Sequence, residues 1–106
     1  MGAAILCADG KIVTGCNIES SSFGLTICAE RCAVFNALSQ GYNQGDLKSM
    51  AIVTGGENPT PPCGACRQVI WEWAPEIEII CAALNGKKAK YSIKKLFPEP
   101  FDSGSF

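Results

Sequence analysis

The chain has 106 residues, 47% hydrophobic and 18% charged, with a formal net charge of −1. That length suits a single domain over 1–106, the composition favours a packed core over disorder, and the near-neutral charge offers no basic field to a nucleic-acid polymer. Histidine is absent, so a Ser-His-Asp or Cys-His nucleophile pair cannot be built within the chain, and proton transfer falls to a carboxylate, lysine, tyrosine or cysteine.

In chain order, Gly2 to Cys7 is short and apolar, without the basic n-region of a signal peptide. Asp9-Gly10 is a hairpin signal, and Lys11 to Cys16 returns as a second strand. A polar loop over Glu19 to Gly24 leads to a helix predicted from about Thr26 to Ser39, where Ala33, Val34, Ala37 and Leu38 form an apolar stripe and Gly41 stops the run. Met50 to Thr54 reads as a buried strand. Prolines 59, 61 and 62 then exclude regular structure until a helix from about Cys63 to Trp73. Trp71 and Trp73 point about 200° apart on that helix, one toward the core and one toward an oligomer contact. Glu76 to Ala82 is a strand, Asn85-Gly86 a turn, Lys88 to Ile93 a final strand and Ser92 to Leu96 a short helix. The order ββαβαββ sets helices against one central sheet, an α/β arrangement. No apolar run approaches the roughly 18 residues of a membrane span. The expectation is a reduced, cytoplasmic protein that binds no membrane.

Seven cysteines cannot all pair within one chain. In a reducing compartment, clustered cysteines point to metal or redox chemistry. Cys63-Gly64-Ala65-Cys66 stands at a loop-to-helix junction, where residues three apart share a face and both sulfurs can meet one ion. Taken alone it also suits a dithiol with a helix-lowered pKa, or two buried thiols. Cys28-Ala29-Glu30-Arg31 stands at a second helix start. Cys28 and Glu30 point in different directions, which suits a metal ligand and a carboxylate reaching round to a bound water. Three cysteines leave zinc's fourth position open, the pattern of a catalytic site. Three thiolates on Zn²⁺ carry a net −1, which helix N-termini, Arg31 and Arg67 can offset by facing the sulfurs. Cys7 and Cys81 read as core residues, Cys32 as packing, and Cys16 as the residue before the next motif.

Three segments carry a resemblance: Gly15-Cys16-Asn17-Ile18-Glu19, Cys28-Ala29-Glu30-Arg31, and Pro62-Cys63-Gly64-Ala65-Cys66-Arg67-Gln68-Val69-Ile70. In order and approximate spacing they resemble the signatures of the small cytidine deaminases of the three-cysteine type, from Gly2 to about Phe101. The resemblance implies a three-layer α/β/α fold with a central mixed five-stranded sheet. It implies Zn²⁺ on Cys28, Cys63 and Cys66, and Glu30 carrying protons between the attacking water, N3 and the leaving amine. Asn17 and Glu19 would hold the ribose hydroxyls, and Ala29 would line the substrate. It implies a homotetramer in which Phe101 covers the base in a neighbour's site, with Phe23 near the same interface. The reaction would convert free cytidine and deoxycytidine to uridine and deoxyuridine, a step of pyrimidine salvage. The family's N-terminal helix has no counterpart before Met1, so a shortened form is expected. Rival readings are a deaminase of another cytosine nucleoside such as an antibiotic, a non-catalytic zinc module, and a dithiol oxidoreductase that leaves Cys28-Ala29-Glu30 unexplained.

Overall fold

A turn at Asp9-Gly10 folds β1 (Gly2–Cys7) back into β2 (Ile12–Cys16). Gly10 takes φ of 86°, a conformation open to glycine, and Asp9 Oδ1 accepts the Lys11 N–H at 3.0 Å. The remaining elements are α1 (Ala29–Ser39), β3 (Leu47–Thr54), α2 (Gly64–Trp73), β4 (Glu78–Ala83), β5 (Lys88–Ser92) and α3 (Ile93–Leu96), with 3₁₀ turns at Phe23–Leu25 and Gln44–Asp46. The structure is a computed structural model that describes residues 1–102 and Gly104.

The strands form one sheet in the order β2-β1-β3-β4-β5. The β3–β4 pair is parallel and the other three are antiparallel. This is the expected α/β class with a mixed five-stranded sheet. Alternation decides the core. Ile5, Val13, Met50, Ile52, Ile79 and Cys81 point to one face and are almost completely buried. Ala29, Ala33, Val34 and Ala37 of α1 and Cys66 and Ile70 of α2 join them in a single apolar cluster. Trp71 packs against that cluster, whereas Trp73 is exposed. The other face carries Ala4, Leu6, Ala51 and Val53, with Leu6 and Val53 exposed. Of the three layers expected, the described residues supply the sheet and the helices of one face.

Two boundaries differ from the periodicity by three residues, each for a local reason. Helix α1 starts at Ala29, three residues late. Ile18 and Ile27 exchange backbone hydrogen bonds of 2.9 and 3.0 Å, and the Thr26 hydroxyl accepts the Ser20 N–H, so Thr26 and Ile27 stay extended. Strand β3 begins at Leu47, three residues early, released by a capping box between Asn43 and Asp46. Gly15 of β2 lets α1 approach closely: a Cβ there would lie 2.3 Å from the Ala33 nitrogen and 2.6 Å from the Ala29 carbonyl. Among the described residues no helix is long and apolar enough to cross a membrane.

Candidate active site

Both long helices begin on a cysteine. Cys28 immediately precedes α1 and Cys63 immediately precedes α2; both are extended, and neither side chain caps its own helix. The thiols are left for another task, in the positive field that unpaired N–H groups create at a helix start. The Ile18–Ile27 bridge ends one residue before Cys28, and the fully buried Pro62 anchors the approach to Cys63. Cys66, in the first turn of α2, is buried beneath them.

The three sulfurs lie within 4.8 Å of one another, and those of Cys28 and Cys63 are 3.9 Å apart. Zn–S bonds of about 2.3 Å in a tetrahedron separate sulfurs by about 3.8 Å. The trio therefore fits zinc with one corner left for a non-protein ligand. Cys63 is exposed, Cys28 half-buried and Cys66 buried, so the cluster opens on one side. Burial resists ionisation of Cys63. The backbone N–H groups of Cys66 and Ala65, with the thiols of Cys66 and Cys28, outweigh it and hold Cys63 below the ordinary thiol value. Cys66 moves the other way, pushed up by burial and then by the Glu30 charge. A divalent cation among the sulfurs reverses that penalty, because it favours thiolate over thiol.

The two arginines differ. Arg31 Nη2 donates to Cys28 Sγ at 3.6 Å, and that bond favours the charged guanidinium more than partial burial opposes it. Among the described residues, the hydrogen bonds of Arg67 go to backbone carbonyls rather than to sulfur. Its Nε donates to the Pro62 carbonyl at 2.7 Å and its Nη1 to the Leu96 carbonyl at 3.0 Å. It ties the approach to Cys63 to the end of α3.

Glu30, second residue of α1, is only 1% exposed, and its Oε1 has no hydrogen-bond partner among the described residues. A carboxylate in such a place is costly unless a cation or a ligand uses it. Asn17 and Glu19 come together just past β2, Asn17 Nδ2 donating to Glu19 Oε1 at 2.9 Å, while Asn17 Oδ1 accepts from the Met1 amino group. Ala29 is fully buried in the core, so a substrate contact there falls to its backbone N–H. Phe101 lies on the flank of α2, where its carbonyl accepts from Gln68 at 2.6 Å. With Gln44, Trp71 and Trp73 it lines a groove of about 640 Å³ that contains none of the cysteines. Thr54, at the end of β3, was not singled out from the sequence. It is buried, its hydroxyl has no partner among the described residues, and the available signal was a polar residue closing the apolar run Met50–Val53.

Comparison with known proteins is consistent across three kinds of match. Residues 1–83 match the family description "Cytidine and deoxycytidylate deaminase zinc-binding region". The chain is 42% identical over 102 residues to a cytidine deaminase of Halalkalibacterium halodurans, covering 95% of this chain and 76% of that protein. It is 31% identical over 111 residues to a blasticidin-S deaminase of Bacillus cereus, covering 92% and 74%. The crystal structure of a cytidine deaminase from Burkholderia pseudomallei superposes with a TM-score of 0.91 at 42% identity, covering 94% of this chain and 80% of that one.

Proposed function

The chain belongs to the zinc-binding cytidine and deoxycytidylate deaminase family, and from that premise we propose that it deaminates free cytidine and deoxycytidine. The reaction consumes one water per nucleoside and yields uridine or deoxyuridine with ammonia. The observation that carries this reading is the buried Glu30, whose Oε1 has no hydrogen-bond partner among the described residues and whose charge acts on Cys66 of the three clustered cysteines.

Cys28, Cys63 and Cys66 would hold the zinc. What zinc supplies when bound is Lewis acidity, which brings a coordinated water to a pKa of about 7. In this reading Glu30 carries both protons of the attacking water in turn, the first to N3 and the second, from the hydroxyl newly formed at C4, to the departing amine. Asn17 and Glu19 clamp the ribose hydroxyls, one donating as an amide and one accepting as a carboxylate. Arg31 offsets thiolate charge through Cys28, and Arg67 keeps the Pro62 carbonyl and therefore Cys63 in place. The Ala29 N–H faces the base. The whole of 1–106 acts as one domain in the cytoplasm, in pyrimidine salvage.

The working form is a homotetramer, in which Phe101 reaches the base bound by a neighbouring copy. Phe23 at 83% exposed, Leu25 at 74% and Phe101 at 56% support an assembly that covers them. The blasticidin-S deaminase relative keeps an antibiotic nucleoside as the second candidate substrate, at the lower identity of 31% against 42%.

The test is direct. Purified protein carrying one zinc per chain should convert cytidine to uridine with one ammonia released per turnover, faster than it converts blasticidin S. A folded, zinc-loaded protein that leaves cytidine and deoxycytidine untouched would overturn the proposal.

A further inference from the structure

Strand β3 ends on a hydroxyl that the fold does not require. Thr54 is 6% exposed, shares the helix-facing side of the sheet with Met50 and Ile52, and its Oγ1 has no hydrogen-bond partner among the described residues. An isosteric valine would suit that place better, because a buried hydroxyl without a partner is destabilising. Its position explains what the hydroxyl is for. Gly2 pairs with both Cys16 and Val53, so the ends of β2 and β3 lie in one row of the sheet. From that row the chain leads to Asn17 on one side and to Pro62-Cys63 on the other. Thr54 pairs with Ala83, one same-face step beyond Cys81, and the Glu30 charge reaches Cys81 and raises its pKa, second to burial. Thus two orphaned buried oxygens, Glu30 Oε1 and Thr54 Oγ1, lie on the same side of the sheet at the end where both helices begin.

We propose that Thr54 is a further residue of the deaminase site, its hydroxyl forming with Glu30 a polar floor that binds the small reactant, water before the reaction and ammonia after it. A carboxylate only accepts hydrogen bonds, whereas a hydroxyl both donates and accepts, and water and ammonia do both. The pair can therefore satisfy either molecule, while the nucleoside is held elsewhere, by Asn17 and Glu19. This rests on the deaminase reading above.

The experiment compares zinc-loaded wild type, Thr54→Val and Thr54→Ser for kcat and KM on cytidine, and for thermal midpoint with zinc and after its removal. Thr54→Val should lower kcat by roughly tenfold or more, the scale of one lost hydrogen bond to a reacting group, with KM changed by less than about threefold. Its midpoint should hold or rise in both forms, since no protein partner is lost. Thr54→Ser should keep kcat near wild type. Wild-type kcat in Thr54→Val overturns the inference. So does a lowered midpoint in that variant, which would show a structural hydroxyl. Equal losses in both variants overturn it as well, since the methyl group would then be what matters. If the unsubstituted protein leaves cytidine untouched, the deaminase reading falls and the Thr54 role with it.

Discussion

At the scale of single residues, Glu30 and Arg31 are neighbours in sequence with opposite tasks. Glu30 is almost completely buried and is assigned the proton traffic. Glu30→Gln keeps the shape and removes the base, so turnover of cytidine should fall by about 10²–10⁴-fold while zinc content stays at one per chain. Metal analysis beside steady-state rates checks this, and normal turnover in the variant would remove Glu30 from the mechanism. Arg31 acts on charge. Replacing it with glutamine removes the guanidinium that donates to Cys28 Sγ, so zinc affinity measured by chelator competition should fall about 10–100-fold. An unchanged affinity would mean that the helix N-termini suffice. The cysteines and Glu30 were legible in the sequence because their spacing carries the chemistry. The partners of Arg67 were not, because they are two backbone carbonyls, at Pro62 and Leu96, brought near by tertiary folding. Thr54 escaped for a similar reason: one polar residue at a strand end signals nothing until its burial and missing partner are known.

At the scale of elements, the site depends on where two helices start. The 3.6-residue period extended α1 back to Thr26, and the bridge between Ile18 and Ile27 overrides it. That bridge makes Cys28 the residue before the helix and leaves its sulfur free of the helix body. Gly15 sets the depth of the same helix. Gly15→Ala would force β2 and α1 apart, since the nearest atoms are helix backbone with no rotamer to relieve them. A cost of about 1–3 kcal/mol is expected, lowering Tm by about 5–20 °C; an unchanged Tm would contradict the close approach. The far end of the hairpin offers a spectroscopic test. Tyr42 OH donates to Asp9 Oδ2 at 2.8 Å, and that bond, more than desolvation, pushes Tyr42 up to about 12. The raised value favours the neutral phenol in the folded state. The linked stability is fully present below pH 10 and lost as pH rises through about 12. Asp9→Asn should bring the tyrosinate absorbance change back toward the ordinary pH of about 10. Titration that stays near 12 in the variant would rule out the Asp9 contact as the cause.

At the scale of the whole molecule, the turns at Asp9-Gly10 and Asn85-Gly86 signal the two hairpins and the hydrophobic pattern signals an α/β arrangement, whereas the order β2-β1-β3-β4-β5 rests on the long-range β1–β3 and β3–β4 pairings, which no turn signals. How copies associate was not legible from pattern, because an exposed Phe23 or Leu25 reads the same in a loop tip and in a subunit contact. Light scattering at micromolar concentration should give the mass of four chains, and a strictly monomeric, fully active protein would contradict the tetramer. On the proposed function, Cys28, Cys63 and Cys66 hold a zinc ion on which turnover of cytidine depends. It is tested by the cytidine deamination rate of protein stripped with a chelator and then reloaded with zinc. The expected result is loss of activity on stripping and recovery at one equivalent of zinc per chain. Full activity in the stripped, metal-free protein would contradict it.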